Sequence, residues 1–310
     1  MTIDLQKIEF VKACLRLEFQ DPYELTVENL LRLRRNLRQA ARQIELLSTR
    51  SNGLAFDELF DPPVSPDPYA RRRYQLPGPP FVIHPPRNHS LPVEIHGILE
   101  LPIVLFGRGT LLLKELCLAF QALGTQGFHR GEGLFELAAV EAEDLSGNRM
   151  RIWQRSGQAP MPLPLIHAGW WLDTFAEESE VCLLLHTPAR ILSDGRPLFN
   201  PCFRTLFPFI LRRVTAMVHA HCGLELVDDP AIYLTAAGRV HELENRLAWR
   251  DWRSLDGNGR KQDLGGLVGS LKIGGEGLRE VLWLLRLASL LNLGKGATYG
   301  AGHLVFGDMA

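Results

Sequence analysis

The chain has 310 residues, is 46% hydrophobic and carries 34 basic against 35 acidic side chains, a net charge of −1. That length fits two domains of about 150 residues, the near-neutral balance excludes a uniformly basic nucleic-acid binder, and no apolar run reaches the roughly 18 residues of a membrane span. Five scattered cysteines form no CxxC pair and the N-terminus lacks the basic-then-apolar order of a secretory signal, which together predict reduced thiols and a cytoplasmic chain.

Taken in chain order, Ile8 to Phe19 alternates apolar and polar residues and predicts a half-buried strand. Thr26 to Leu47 predicts a helix, with Leu30, Leu31, Leu37, Ala41 and Ile44 at helical spacing. The Pro-rich stretch from Asp61 to Pro86 predicts extended loop, with a short strand at Phe81 to His84. Val93 to Phe106 predicts a strand, Thr110 to Leu123 a helix stopped by Gly124, and Gly133 to Val140 another strand.

The second half repeats this order. Val181 to Ile191 predicts a strand and Pro201 to Cys222 a helix closed by Gly223. Leu247 to Leu255 and Leu264 to Ile273 predict two strands across the turn Asp256-Gly257-Asn258-Gly259. Leu278 to Leu291 predicts an apolar helix and His303 to Phe306 the last strand. Two β-α-β-β-α-β series predict an α+β chain of two tandem ferredoxin-like (RRM-like) domains. The join falls between Gly147 and Phe175, and the expected domains are 1–165 and 166–310.

Positive charge is mostly arginine, 28 residues against six lysines, a composition suited to phosphate contact and base stacking and equally produced by GC-rich codons. The segment Gly294-Lys295-Gly296-Ala297-Thr298-Tyr299-Gly300-Ala301-Gly302 places four glycines in nine residues. Such a loop lets backbone approach a ligand, its amides can hold phosphate oxygens, and Lys295 adds a charge. A P-loop needs GxxxxGK[ST] between strand and helix. Here the predicted order is helix, loop, strand, so that reading fails.

A glycine-rich loop before the last strand resembles that of the RAMP superfamily. Trp252-Arg253-Ser254, Gly259-Arg260-Lys261 and Asp263 to Gly269 resemble the preceding hairpin of one branch, the CRISPR-associated protein 6 family. Ser193 to Leu198, Pro79 to Pro86 and Gly124 to Gly131 are similar to family segments as well. The resemblance implies a CRISPR-associated endoribonuclease that processes pre-crRNA without a metal or other cofactor. The ribose 2′-hydroxyl would attack its phosphate, leaving a 2′,3′-cyclic phosphate and a 5′-hydroxyl. CRISPR repeat RNA or crRNA is the implied partner, with a CRISPR effector complex as a further one and no membrane. The alternative is a non-cleaving crRNA-binding or scaffold subunit.

Family members commonly carry a catalytic histidine near the first helix, whereas this chain has none before His84. Candidates for proton transfer are Tyr23, just before the helix, His84 (with His89 across Pro85-Pro86), and His303, which follows the glycine-rich loop. Candidates for RNA contact are Arg35, Arg38 and Arg42, at helical spacing on one face, the loop residues Arg130, Arg260 and Lys261, and Gly294, Lys295, Gly296, Gly300 and Gly302. No HExxH or Cys/His cluster points to a metal. Trp170, Trp171, Trp249 and Trp252 are expected in the core.

Overall fold

The structure, a computed structural model, describes residues 4–47, 54–74, 76, 78–86, 93–129, 131–155, 162–251, 253–255, 261–263 and 265–307. They form two compact units, one of Leu5–Ser65 and Pro77–Trp171, the other of Met1–Asp4, Pro66–Leu76 and Leu172–Ala310.

In the first unit β1 (Glu9–Phe19) leads to α1 (Val27–Leu47), β2 (Phe81–Ile83), β3 (Ile98–Phe106), α2 (Leu113–Gln126), β4 (Phe135–Glu143), β5 (Arg149–Gln154) and β6 (Ile166–His167). The antiparallel sheet runs β2-β3-β1-β4-β5, with β6 paired to β1. The order of its first four strands is that of a ferredoxin-like βαββαβ fold. Along β1 the pleat alternates faces: Leu15, Leu17 and Phe19 are fully buried while Arg16 and Glu18 are half-buried. Leu30, Leu33, Leu37, Ala40 and Ala41 form the buried stripe of α1, which packs on α2. Each buried leucine or phenylalanine contributes about 1.5–3 kcal/mol.

The second unit repeats the plan. β7 (Glu180–Ala189), α3 (Phe203–Cys222), α4 (Pro230–Ala237), β8 (His241–Asn245), β9 (Ala248–Arg250), β10 (Gly266–Gly274), α5 (Leu278–Leu291) and β11 (Leu304–Phe306) follow in order. The antiparallel sheet runs β8-β10-β7-β11, with β9 also on β10. The helices α3 and α5 pack on each other, burying Phe207, Ile210 and Val214 from one and Val281, Leu284 and Ala288 from the other. At the end of α5, Arg213 donates from Nε and Nη2 to the Leu291 carbonyl at 3.3 and 3.0 Å. Burial lowers this guanidinium to about 10, so it still carries charge to the helix C-terminus at neutral pH.

The tandem ferredoxin-like architecture is the one expected, and several details differ. Gly124 does not stop its helix; α2 runs to Gln126, and Gly127, at φ 82°, ends it. Gly124 serves packing instead, since a Cβ there would lie 2.1 Å from the Phe135 carbonyl oxygen on β4. The Pro-rich stretch holds a helix at Pro68–Arg73, because Asp67 caps it through the amides of Tyr69 and Ala70 and proline fits its first turn. That helix belongs to the second unit, where Arg73 reaches Glu225 and the carbonyls of Val227 and Asp228 and Tyr74 stacks on His219 with centroids 4.2 Å apart. The strand expected at Leu247 to Leu255 is broken into Ala248–Arg250 and Arg253–Leu255. β8 was hidden by exposure: its His-Glu-Leu-Glu-Asn side chains lie on a sheet edge and show no apolar alternation.

Candidate functional site

The glycine-rich loop joins α5 to β11 beside the end of β7. Gly294, Gly296, Gly300 and Gly302 all take positive φ, 87°, 84°, 89° and 59°, a region that costs residues with a Cβ. Their surroundings differ. A Cβ on Gly302 would lie 1.8 Å from the Leu293 carbonyl oxygen, whereas one on Gly296 would meet only the Ala301 methyl at 3.4 Å. The first position holds the chain crossing together; the second faces outward.

The last residues of β7 act as a spine for this loop. The Lys295 amide donates to the Arg190 carbonyl at 2.9 Å and the Gly302 amide to the Pro188 carbonyl at 3.0 Å. Thr187, fully buried, donates its hydroxyl to the Gly300 carbonyl at 2.5 Å and accepts the His303 amide at 2.9 Å. Within the loop, Leu293 donates to Gly302 and Tyr299 to Gly296, both at 2.9 Å, and Asn292 Nδ2 donates to the Ala297 carbonyl at 3.0 Å. The Leu293, Lys295, Tyr299 and Gly302 amides are therefore spent on protein carbonyls. What the loop turns to solvent is Lys295 and Gly296, both exposed.

His303 leaves the loop opposite His186 of β7. The His186 amide donates to the His303 carbonyl at 3.0 Å, and the two rings lie 5.9 Å apart at 32°. His303 is 8% exposed, whereas His186 is exposed. His186 has no signal in one-dimensional sequence. It lies on an apolar strand and becomes a candidate only through the β7–β11 register.

The other candidates stand elsewhere. Tyr23, in the first unit, is 7% exposed and stacks on Phe19 and Phe128 at 5.4 and 5.8 Å. Its hydroxyl accepts from Asn29 Nδ2 at 2.9 Å. Burial pushes its phenol up to about 12, which keeps it protonated at neutral pH and ill-suited to act as a base. His84 lines a shallow cleft of the same unit with Lys12, Cys14, Glu141, Glu143 and Arg149. Acid–base pairs cross that sheet: Lys12–Glu143 at 3.2 Å, Arg16–Glu100 at 2.7 Å, Arg149–Glu100 at 3.0 Å and Arg151–Glu141 at 3.6 Å. On α1, Arg35 and Arg42 are exposed, while Arg38 pairs with Asp61.

Arg130, Arg260, His89 and Trp252 lie outside the described residues, and of Lys261 only the backbone, in the strand Lys261–Asp263, is described. Trp171 is buried as expected, but Trp170 is 53% exposed, and Trp249 is half-buried against Phe199 with its indole N–H on Asp251. Among the described residues no three His, Cys, Asp or Glu side chains group as metal ligands. No helix of the described residues is long and apolar enough to cross a membrane.

Residues 183–304 match the model of a family described as CRISPR-associated endoribonuclease Cas6, and residues 40–164 match one described as an N-terminal domain. No curated protein matches the sequence. Among solved structures, the chain is similar to a Cas6 product complex, with 16% identity and a TM-score of 0.53 over 97% of this chain and 100% of that one. It is similar to Thermus thermophilus Cas6, with 15% identity and a TM-score of 0.52 over 96% and 98%. A partial Cas6-RT-Cas1–Cas2 complex gives 12% identity and a TM-score of 0.55 over 97% of this chain and 46% of that one. At these identities the structural likeness is one of fold.

Proposed function

We propose that the chain is a member of the CRISPR-associated endoribonuclease Cas6 family, whose model residues 183–304 match, and that it binds CRISPR repeat RNA and cuts it without a metal ion. The ribose 2′-hydroxyl attacks the neighbouring phosphorus and the 5′-oxygen leaves, giving a 2′,3′-cyclic phosphate and a 5′-hydroxyl. The nucleophile belongs to the RNA, so the protein's work is to align it, move protons and stabilise the added negative charge.

The observation that carries this reading is the glycine-rich loop. It falls inside the matched segment, is locked to β7 by backbone bonds, and projects Lys295 to solvent from a rigid base. Lys295 is the phosphate contact of that unit, and the exposed Arg35 and Arg42 are those of the first. Of Tyr23, His84 and His303, it is His303 that adjoins the loop. Tyr23 packs an aromatic cluster instead.

The buried Tyr23, together with the absence of histidine from α1, favours a second reading. In it the protein holds the repeat or mature crRNA within a CRISPR effector complex and does not cut. One assay separates the two: repeat RNA is incubated with protein in EDTA and the product ends are identified. A single cut ending in a cyclic phosphate is expected. Tight binding with intact RNA would leave the second reading, and a cut abolished by EDTA would reject the metal-free chemistry.

A further inference from the structure

We infer that His186 is a catalytic residue of this cleavage and His303 its positioning residue, an assignment that rests on the endoribonuclease reading above. His186 is the exposed imidazole on the strand that carries the loop. Lys295 bridges Arg190, which lies one residue past the end of β7 and four residues from His186, about 13 Å of extended chain. A phosphodiester at His186 and another phosphate at Lys295 would then belong to a single strand crossing the end of the sheet.

His303 sits in register across from His186. Its backbone is tied by its amide to Thr187 and by its carbonyl to the His186 amide. The loop, Thr187 and His303 thus fix the backbone from which His186 projects, and the sheltered ring of His303 stands 5.9 Å from it. Reach and a held geometry are what a general base needs.

Unprotonated His186 takes the 2′-hydroxyl proton as the bond from the 2′-oxygen to phosphorus forms. As the bond from phosphorus to the 5′-oxygen breaks, that oxygen takes a proton from water. The imidazolium then returns its proton to the hydroxide left behind, so atoms and charge balance over one turnover. Among the described residues, the charged or titratable groups on neighbouring elements include His303 from the β11 end, Lys295 from the loop, and Arg190 just past β7. Farther down the sheet are Cys182 and the Lys272–Glu180 pair. The facing stretch of β10, Leu267 to Gly269, carries no charge.

The test is single-turnover cleavage of a 5′-labelled repeat transcript from the genome that encodes the chain, alongside binding of the same RNA. His186→Gln is expected to slow cleavage at least about 100-fold, the usual contribution of a general base, with affinity within about threefold. In His186→Ala, added imidazole is expected to restore part of the rate. His303→Gln is expected to slow single-turnover cleavage less than His186→Gln does, with affinity within about threefold of wild type. Cleavage by His186→Gln within about threefold of wild type, or a loss of binding that accounts for its lost rate, overturns the assignment while the endoribonuclease reading stands. A cleavage rate in His303→Gln equal to wild type overturns its positioning role. Wild-type protein that binds the transcript and leaves it intact overturns both the assignment and the cleavage reading.

Discussion

In the first unit, β1 meets β3 and β4 through side chains that neutralise one another: Lys12 with Glu143, and Arg16 with Glu100 and Glu141. In the second, the equivalent first strand, β7, meets the last strand through two imidazoles, beside a loop that carries Lys295. The topology is the same, and the chemistry differs at the end of the sheet beside the loop. Paired charges close a surface to an anion, since each cation already holds its counter-charge. The exposed Lys295 ammonium on a backbone-locked loop leaves positive charge for a ligand to neutralise. The first unit thus pairs its cations across the centre of its sheet, while the second also pairs Lys272 with Glu180 but presents Lys295 at the sheet's end.

The largest expected effect tests how far the second unit depends on its loop. Gly302→Val would force a Cβ into the Leu293 carbonyl at a left-handed φ, and should cost about 4 kcal/mol or more in urea unfolding. Gly296→Ala, at similar φ but with open space, should cost only about 1–2 kcal/mol. Equal losses at the two positions would break the division of the loop into a structural and an outward-facing part.

Alkaline pH should strain the first unit next. Burial raises Cys117 from 9.0 to about 12 and Cys14 to about 11, with the nearby Glu115 and Glu100 adding in the same direction, and raises Tyr23 from 10.0 to about 12. All three are neutral when protonated, and the folded state holds those protons more tightly than the unfolded one. Their contribution is complete below about pH 9 and is lost as pH rises through 11 to 12, by about 1.4 kcal/mol for each pKa unit of each group. Urea midpoints measured from pH 8 to 11 should fall, and Cys117→Ala should flatten the slope. A slope unchanged in that variant would remove Cys117 from the account.

The smallest effect sharpens the comparison most directly. Arg16→Gln removes a partly exposed ion pair and should cost about 1 kcal/mol or less, leaving RNA affinity unchanged. Lys295→Ala should leave stability unchanged and weaken RNA binding, with the slope of log affinity against log salt falling by about 1. If Arg16→Gln weakens binding as much as Lys295→Ala, the two sheets do not differ as described.

Much of this molecule is written in one dimension, because periodicity and glycine placement act locally. The helix Leu278–Leu291 was legible to the residue, since its apolar spacing, the glycines before it and the loop after it all agree. Gly223 closes α3 in the left-handed conformation expected of it. Gly124 misled, because a glycine needed for a helix to approach a strand looks the same in sequence as one that ends the helix. The polar edge strand His241–Asn245 gave no signal, because nothing on it alternates.

The sequence by itself determined the first βαββαβ series, the second but for its polar edge strand, and the glycine-rich segment that ends it, since these rest on neighbours along the chain. Tertiary structure alone decided which side chains share a place. It put Arg38 on Asp61, took Tyr23 into an aromatic cluster with Phe19 and Phe128, and brought His186 against His303, 117 residues away. Strand register sets that last pairing, and register is a property of two segments that neither carries alone.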